Sequence, residues 1–455
     1  VNKRLARQNR AKEEIMAHTV MNDRQGVPHD SEDAIDQKSK WPAIAIGNFI
    51  EWFDFAIYGY FAATIGQLFF PAAAPGLSTI SAFAVFAVGF VSRPLGALIF
   101  GPIGDRYGRR VALAFTIAGM GVVTTLIGIL PTYGQIGIAA PILLTILRFT
   151  QGIFVGGEWS SAGIYAVESA PAHRRAFAAS LIAGTAGLAF LAGIGIAGVL
   201  TWTLSAEALA SWGWRLPFVC PIGLAFLGLH IRRDLDETRV FITVQQRRLD
   251  RQIKSLKIGD KVCALLVSFA MSALFGVSLY YLVVYSLSHM IQTVGLEKSH
   301  AMAFCAVALL VSVIATPFIG LLSDKVGRRS LVLIAAGGIL LWSYPLFVML
   351  NTGNSALILL ALSGLSLFVS IACVMNVVLL VEVFPASIRA SYAAIGYNAA
   401  SALLAGPSPL IAASLAQFTG DPNAPAWYMA AVSIVCFAVL WKFLGETKGC
   451  DITQG

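Results

Sequence analysis

From Trp41 onward, runs of apolar residues recur along the chain, separated by short polar connections. Each run has about 20 residues or more, long enough as a helix to cross a hydrocarbon core about 30 Å thick at 1.5 Å per residue. The pattern predicts twelve membrane helices, over residues 42–69, 78–103, 111–131, 137–167, 176–203, 213–231, 262–288, 301–322, 331–350, 356–383, 391–417 and 427–444. It predicts an all-α membrane protein.

Composition agrees. The chain of 455 residues is 57% hydrophobic and 12% charged, against about 25% charged in soluble proteins. Its 24 acidic and 32 basic side chains are too few to coat a soluble body of this size, so the surplus apolar surface faces lipid. The 42 glycines suit close helix packing in a bilayer, and the 28 phenylalanines suit its surface and interfaces. A large soluble enzyme, a disordered chain, a coiled coil and a secreted disulfide scaffold are excluded. Cys220, Cys263, Cys305, Cys373, Cys436 and Cys450 have neither C-x-x-C nor Cys/His spacing, which reads as packing and predicts no metal site.

Charge placement sets the topology. If both termini and the even-numbered connections share one side, every Lys and Arg lies there except Arg93, Arg148, Arg215 and Lys298. The positive-inside rule then puts both termini in the cytoplasm, with the chain multi-pass in the plasma membrane. The net charge of +8 is a topology signal and implies no nucleic-acid partner. Residues 1–40 lack the apolar core of a signal peptide and read as a cytoplasmic tail. The longest connection, 232–261, reads as a solvated linker between halves at 41–231 and 262–447, with 448–455 a short tail.

An internal repeat supports that division. Gly101-x-x-x-Asp105-Arg106-x-Gly108-Arg109-Arg110 recurs as Gly320-x-x-x-Asp324-Lys325-x-Gly327-Arg328-Arg329. Glu168-x-x-Pro171-x-x-x-Arg175-Ala176 recurs as Glu382-x-x-Pro385-x-x-x-Arg389-Ala390. Both pairs fall in cytoplasmic loops at equivalent places. Two parallel six-helix halves would place a substrate site at their interface near the midplane.

The loop at 101–110 resembles the signature loop of the major facilitator superfamily. More narrowly, Gly47-Asn-x-x-Glu51-Trp-Phe-Asp54-Phe, Arg93-Pro-Leu-Gly96, Arg148-x-x-Gln151-Gly-x-x-x-Gly-Gly157-Glu158 and Trp212-Gly-Trp-Arg215-x-Pro-Phe218 resemble the metabolite:proton symporter family. Those transporters carry 2-oxoglutarate, citrate, shikimate, or proline and betaine. The resemblance implies a proton-driven symporter without cofactors, working by alternating access and usually as a monomer. It also implies a cytoplasmic gating latch, here Asp105, Arg109, Glu168 and Arg175 with their counterparts Asp324, Arg328, Glu382 and Arg389. Asp105 would accept from the N-terminus of a helix in the other half, and Arg109 would pair with Glu168.

Inside the membrane the polar residues fall into stripes. The first span carries Asn48, Glu51, Asp54 and Tyr58 at helical spacing, and the fourth carries Arg148, Gln151, Glu158 and Tyr165 beside a Gly152-x-x-x-Gly156 packing face. The seventh carries Ser278, Tyr281, Tyr285 and Ser288, with Tyr280 beside them. Charges at mid-membrane cost about 2.5 to 3.5 kcal/mol each and must be paired or line a wet cavity. In this superfamily the first, fourth and seventh helices line that cavity.

Glu51, Asp54 and Glu158 are therefore candidate proton carriers. Arg148 and Arg93 are candidate receptors for a substrate carboxylate, with Gln151, Tyr58, Tyr281, Tyr285, Asn376 and Asn398 as further contacts. The resemblance carries over an Asp54–Arg148 pair, yet straight helices counted from Pro42 and Glu168 leave the two roughly 12 Å apart in height. Arg93 is the alternative partner for Glu51 or Asp54. Trp212, Trp214 and Arg215 read as an outer aromatic belt.

The expected function is import of a small organic acid with protons. Import of a zwitterion such as proline or betaine is the alternative, set second because only a short segment follows Leu444 where osmosensing relatives have a coiled-coil extension. A membrane sensor or enzyme is a third reading. No Walker loop, H-E-x-x-H or Ser/His/Asp grouping supports it, and an ATP-driven pump lacks its phosphate loop.

Overall fold

The computed structural model describes residues 30–71, 75–107, 109–156, 158–232 and 258–452, with side chains omitted at 30–44, 75, 76, 101, 102, 104–113, 231 and 232. The expected linker therefore lies almost wholly outside the described residues, as do the first 29 positions and the side chains of Asp105 and Arg109. Among the described residues the fold is all helical, and nine helical stretches are long and apolar enough to cross a membrane. The other three expected spans are helical too.

In chain order the membrane helices are α1 (Asp30–Tyr60, continued by Ala62–Phe69), α2 (Pro75–Val91 and Arg93–Tyr107), α3 (Arg109–Ile129) and α4 (Ala139–Val155 and Glu158–Glu168). They continue with α5 (Arg175–Thr203), α6 (Pro221–Arg232), α7 (Ile258–Tyr280, Tyr281–Tyr285 and Ser286–Gln292) and α8 (Lys298–Val326). The last four are α9 (Arg329–Leu350), α10 (Ser355–Glu382), α11 (Arg389–Ala400, Ser401–Ala405 and Ser408–Thr419) and α12 (Pro425–Phe443).

Two features of this bundle position the site. First, α2 and α4 pack backbone to backbone. A Cβ on Gly152 would come within 1.9 Å of the Gly89 carbonyl oxygen, and one on Gly156 within 2.2 Å of the Arg93 carbonyl oxygen. The small-residue face read in the fourth span thus has α2 as its partner, and the contact holds Arg93 against α4. α4 also breaks at Gly156, just before Glu158.

Second, α7 contains a π-helical turn at Tyr281–Tyr285. Through it Tyr281 and Tyr285 of the expected stripe stay on one side of the helix, their rings 5.4 Å apart and both against Phe347 of α9. Tyr280 turns to the bundle centre, its ring 5.5 Å from Phe86 and 5.2 Å from Phe90 of α2. Tyr281 turns instead toward α12, where its hydroxyl donates to the Pro425 carbonyl at 2.8 Å.

At the outer end, Trp214 is fully buried, packed against Phe69 and Phe218. Arg215 donates to the carbonyls of Gly128 and Leu130 at the end of α3. The expected aromatic belt is corrected there: the Trp214 indole fills the joint between helix ends, and Trp212 alone of the two is exposed.

Candidate transport site and cytoplasmic latch

The five intramembrane charges singled out in the sequence, Glu51, Asp54, Arg93, Arg148 and Glu158, are all buried in the first half. Asp54 is fully engaged. The Thr124 hydroxyl of α3 donates to its Oδ1 at 2.8 Å, and the Gln151 amide donates to Oδ2 at 2.5 Å. Arg148 Nη1 lies 3.3 Å from the same Oδ2 and also donates to Gln151 Oε1. Asp54 and Arg148 thus meet despite the height difference counted along straight helices from Pro42 and Glu168. The Tyr58 ring lies under the Arg148 guanidinium at 3.9 Å, and its hydroxyl donates to the Ala82 carbonyl.

Glu51 and Arg93 form a looser second pair, with Arg93 Nη2 3.5 Å from Glu51 Oε1. The Arg93 guanidinium packs against the adjoining rings of Phe55 and Phe90, at 4.5 and 4.4 Å. Among the described residues, both Glu51 oxygens and the Nε and Nη2 atoms of Arg93 and of Arg148 are buried without a hydrogen bond. A buried polar group left unpaired costs about 1 to 3 kcal/mol, and more when charged. Such a cluster is a place where a ligand gains by arriving. Glu158 accepts from the Thr116 hydroxyl of α3 at 3.4 Å.

The second half faces this cluster with neutral groups. Tyr280 of α7 and Tyr397 of α11 lie beside Arg93. An aromatic layer joins the halves, with the Trp159 ring 5.0 Å from Trp52, 5.9 Å from Phe275 and 6.1 Å from Tyr397. Asn376 accepts from the Trp159 indole N–H at 3.0 Å and donates to Ser272. Asn398 donates to the Gly156 carbonyl at the break in α4, at 2.6 Å. Of the expected contacts, Asn376 and Asn398 thus bridge the halves. Tyr281 lies away from the charges, and Asn48 donates to Ile182 and Thr185 of α5.

Toward the outer ends of α1, α2, α7 and α11, a cavity of about 530 Å³ is lined by Gln67, Thr79, Tyr285, His289, Gln292 and Gln417 among others. Tyr285 belongs to this cavity. One direct bond, from the Gln292 amide to the Thr79 hydroxyl at 2.8 Å, crosses it between the halves.

The cytoplasmic ends are tied more densely. Asp324, near the end of α8, accepts from the backbone N–H groups of Ala176 and Phe177 at 3.0 and 2.9 Å, so it caps the start of α5 in the other half. A carboxylate there is favoured by the helix dipole as well as the hydrogen bonds. Arg328 holds Asp324 at 3.1 Å and grips both oxygens of Glu382. Glu168 pairs with Arg389 at 2.6 Å, again between halves. The residues expected to form a latch are therefore assembled here, apart from Asp105 and Arg109, whose side chains lie outside the described residues.

Comparisons with known proteins agree with this architecture. The model of the Major Facilitator Superfamily matches residues 44–407. The chain belongs to the major facilitator superfamily. It is 34% identical over 403 residues to the glycine betaine/proline/ectoine/pipecolic acid transporter of Dickeya dadantii, covering 86% of this chain and 80% of that protein. It is also 34% identical over 404 residues to the proline/betaine transporter of Escherichia coli K12, with the same coverage. Among solved structures, the proton:xylose symporter XylE matches with a TM-score of 0.76 at 17% identity, covering 91% of this chain and 97% of that one. This last likeness speaks for the fold alone.

As a transporter of this superfamily, the protein is a multi-pass component of the plasma membrane that handles a small-molecule substrate. Several residues of its site have no sequence signal strong enough to single them out. Thr124 sits in an ordinary apolar run, and the Trp159 layer is visible only once four helices are assembled.

The segment after α12 likewise has no such signal. Glu446 accepts from the Arg328 and Arg329 N–H groups at 2.8 and 3.2 Å, and the Thr447 hydroxyl donates to Glu382 at 2.6 Å. The carbonyls of Cys450 and Ile452 accept from Arg175 and Arg389 at 2.6 and 2.7 Å. The segment thus straps these helix ends, joining Arg175 of the first half to Arg389 of the second. Gly327, with φ of +108°, makes the turn against which Glu446 lies.

Proposed function

We propose that this transporter imports a zwitterionic osmolyte of the proline or betaine type together with protons, by alternating access between its two halves and as a monomer. The observation that carries this reading is that both ends of a zwitterion have counterparts at one level of the bundle. The open edges of Arg93 and Arg148 suit a carboxylate. The faces of Trp52, Trp159, Phe275 and Tyr397 suit an alkylated ammonium, which aromatic rings attract through their quadrupoles.

The curated relatives, named for betaine and proline, move the weight from an organic acid to this zwitterionic substrate. The symporter reading itself is unchanged. Proton coupling is supported by Glu51, Asp54 and Glu158, three carboxylates buried within the membrane beside two arginines. The interhalf cytoplasmic bonds and the outer cavity fit a state closed toward the cytoplasm.

Uptake into proteoliposomes tests the proposal. Labelled glycine betaine and proline should accumulate under an inward proton gradient and leak back when an uncoupler collapses it. Two open arginine edges would also fit a dicarboxylate, so competition by unlabelled 2-oxoglutarate and citrate belongs in the same experiment. Displacement by these acids but not by betaine would turn the assignment back to an organic acid.

A further inference from the structure

Arg93 presents a side shaped for a carboxylate and leaves it open. Phe55 and Phe90 pack together against its planar guanidinium, at 4.5 and 4.4 Å. Nε and Nη2 form one edge of that plane, with near-parallel N–H bonds of the kind that grip a carboxylate in two-pronged fashion. Neither makes a hydrogen bond among the described residues. A carboxylate already stands beside that edge, Glu51 Oε1 at 3.5 Å from Nη2, and neither of its oxygens accepts a hydrogen bond. Asp54, by contrast, is held by Thr124, Gln151 and Arg148 together. Of the two pairs in the first half, the Glu51–Arg93 pair is the one built to come apart.

We infer that Arg93 is the receptor for the substrate carboxylate and that Glu51 is its protonatable competitor, so that a proton on Glu51 frees Arg93 for the substrate. This rests on the symport reading above and assigns its two partners to atoms. The only bond made is an O–H bond on Glu51, using a proton from the outer water, and it breaks when the proton leaves to the cytoplasm. With Glu51 ionised, Arg93 is neutralised from within and the substrate carboxylate has no charge to meet. With Glu51 protonated, the substrate carboxylate restores the pairing in the open Nε/Nη2 edge. Substrate and proton therefore bind together.

The titratable and charged groups facing Glu51 are Arg93 from α2, Glu158 from α4, Tyr280 from α7 and Tyr397 from α11, with Asp54 on its own helix. Arg148 and Asp54 answer one another, and Glu158 receives the Thr116 hydroxyl. Arg93 is the cation in ion-pair contact with Glu51.

The test is equilibrium binding of glycine betaine to the purified full chain across pH, joined to transport in liposomes. Wild-type affinity should fall as pH rises. The Glu51→Gln variant should bind with the wild type's acidic affinity at every pH and exchange labelled betaine across the membrane, yet fail to concentrate it. Arg93→Lys, which keeps the charge but loses the two-pronged edge, should weaken betaine binding by about tenfold or more. It should leave binding of choline, which has no carboxylate, within about twofold.

A Glu51→Gln protein that still concentrates betaine and still binds it more weakly at high pH would overturn the assignment while leaving symport intact. A wild type whose accumulation ignores uncouplers would instead sink the symport reading. If the Gln variant does not fold, Glu51→Asp decides: a betaine affinity profile displaced along the pH axis supports the assignment, and an unmoved one overturns it.

Discussion

Arg389 of α11 and Glu168 of α4 meet at 2.6 Å across the cytoplasmic face, joining the two halves by a buried ion pair. Arg389 also donates to the Ile452 carbonyl and to the carbonyls of Val381 and Phe384, so it ties four stretches of chain together. Neutralising one partner of a buried pair takes the opposite charge away from the other, at up to about 3 to 5 kcal/mol. That cost falls on the closed state alone if the cytoplasmic side opens. Glu168→Gln should therefore shift the population toward a cytoplasm-open form. In a cysteine-free background carrying Ser180→Cys, labelling by an impermeant thiol reagent from the cytoplasmic side should rise several-fold. Unchanged labelling would mean that the pair does not hold the gate.

The Asp54 network predicts graded losses. Thr124→Val removes one hydrogen bond to Asp54 and should cost about 1 kcal/mol. Asp54→Asn leaves Arg148 buried with its charge unanswered and should cost about 3 to 5 kcal/mol. Thermal unfolding of the detergent-purified proteins ranks the two; equal losses would contradict the assigned geometry.

The α2–α4 contact predicts a sharp contrast among glycines. Gly152→Ala forces a methyl group to within 1.9 Å of the Gly89 carbonyl and should separate the helices, displacing Arg93. Overpacking of this kind costs about 1 to 3 kcal/mol. Gly184→Ala and Gly195→Ala meet nothing within 4 Å and should be silent. Melting temperatures and betaine affinity would show this together.

The strap after α12 carries a pH signature of its own. Burial alone would raise the Glu446 carboxyl, but the N–H groups of Arg328, Lys448, Arg329 and Thr447 outweigh it and hold its pKa below the ordinary value. A depressed pKa means that the ionised carboxylate stabilises the docked segment above the unfolded value, near about 4.3, and that this is lost as pH falls through the lower folded value. Corrected amide exchange in residues 446–452 should stay slow from neutral down to mildly acidic pH and quicken below it. Glu446→Gln should be fast throughout. Exchange that slows on acidification would refute the strap.

Much of the fold was legible because the bilayer dictates it: length of apolar run, side of the basic residues and spacing of the repeated loops. The five intramembrane charges stood out because a bilayer tolerates so few. Their pairing was harder to read. It depends on the tilt of the helices and on the reach of arginine side chains, neither of which residue spacing gives. On α7 the spacing groups Tyr281 with Tyr285 as the structure does, but which neighbour that face meets is settled only by packing: it looks to Phe347 and Tyr428, while Tyr280 meets Phe86 and Phe90 of α2. The strap has no signature in residue type, because Glu446 and Thr447 are ordinary polar residues after a helix end and its ties to Arg175 and Arg389 are made by backbone carbonyls.

The central claim is that a zwitterion and a proton cross together. Its most direct measurement is the external pH of a lightly buffered suspension of liposomes containing the wild-type protein when glycine betaine is added. The account predicts betaine-dependent alkalinisation outside the vesicles, abolished by an uncoupler and absent from protein-free liposomes. Betaine entry without any movement of protons would contradict it.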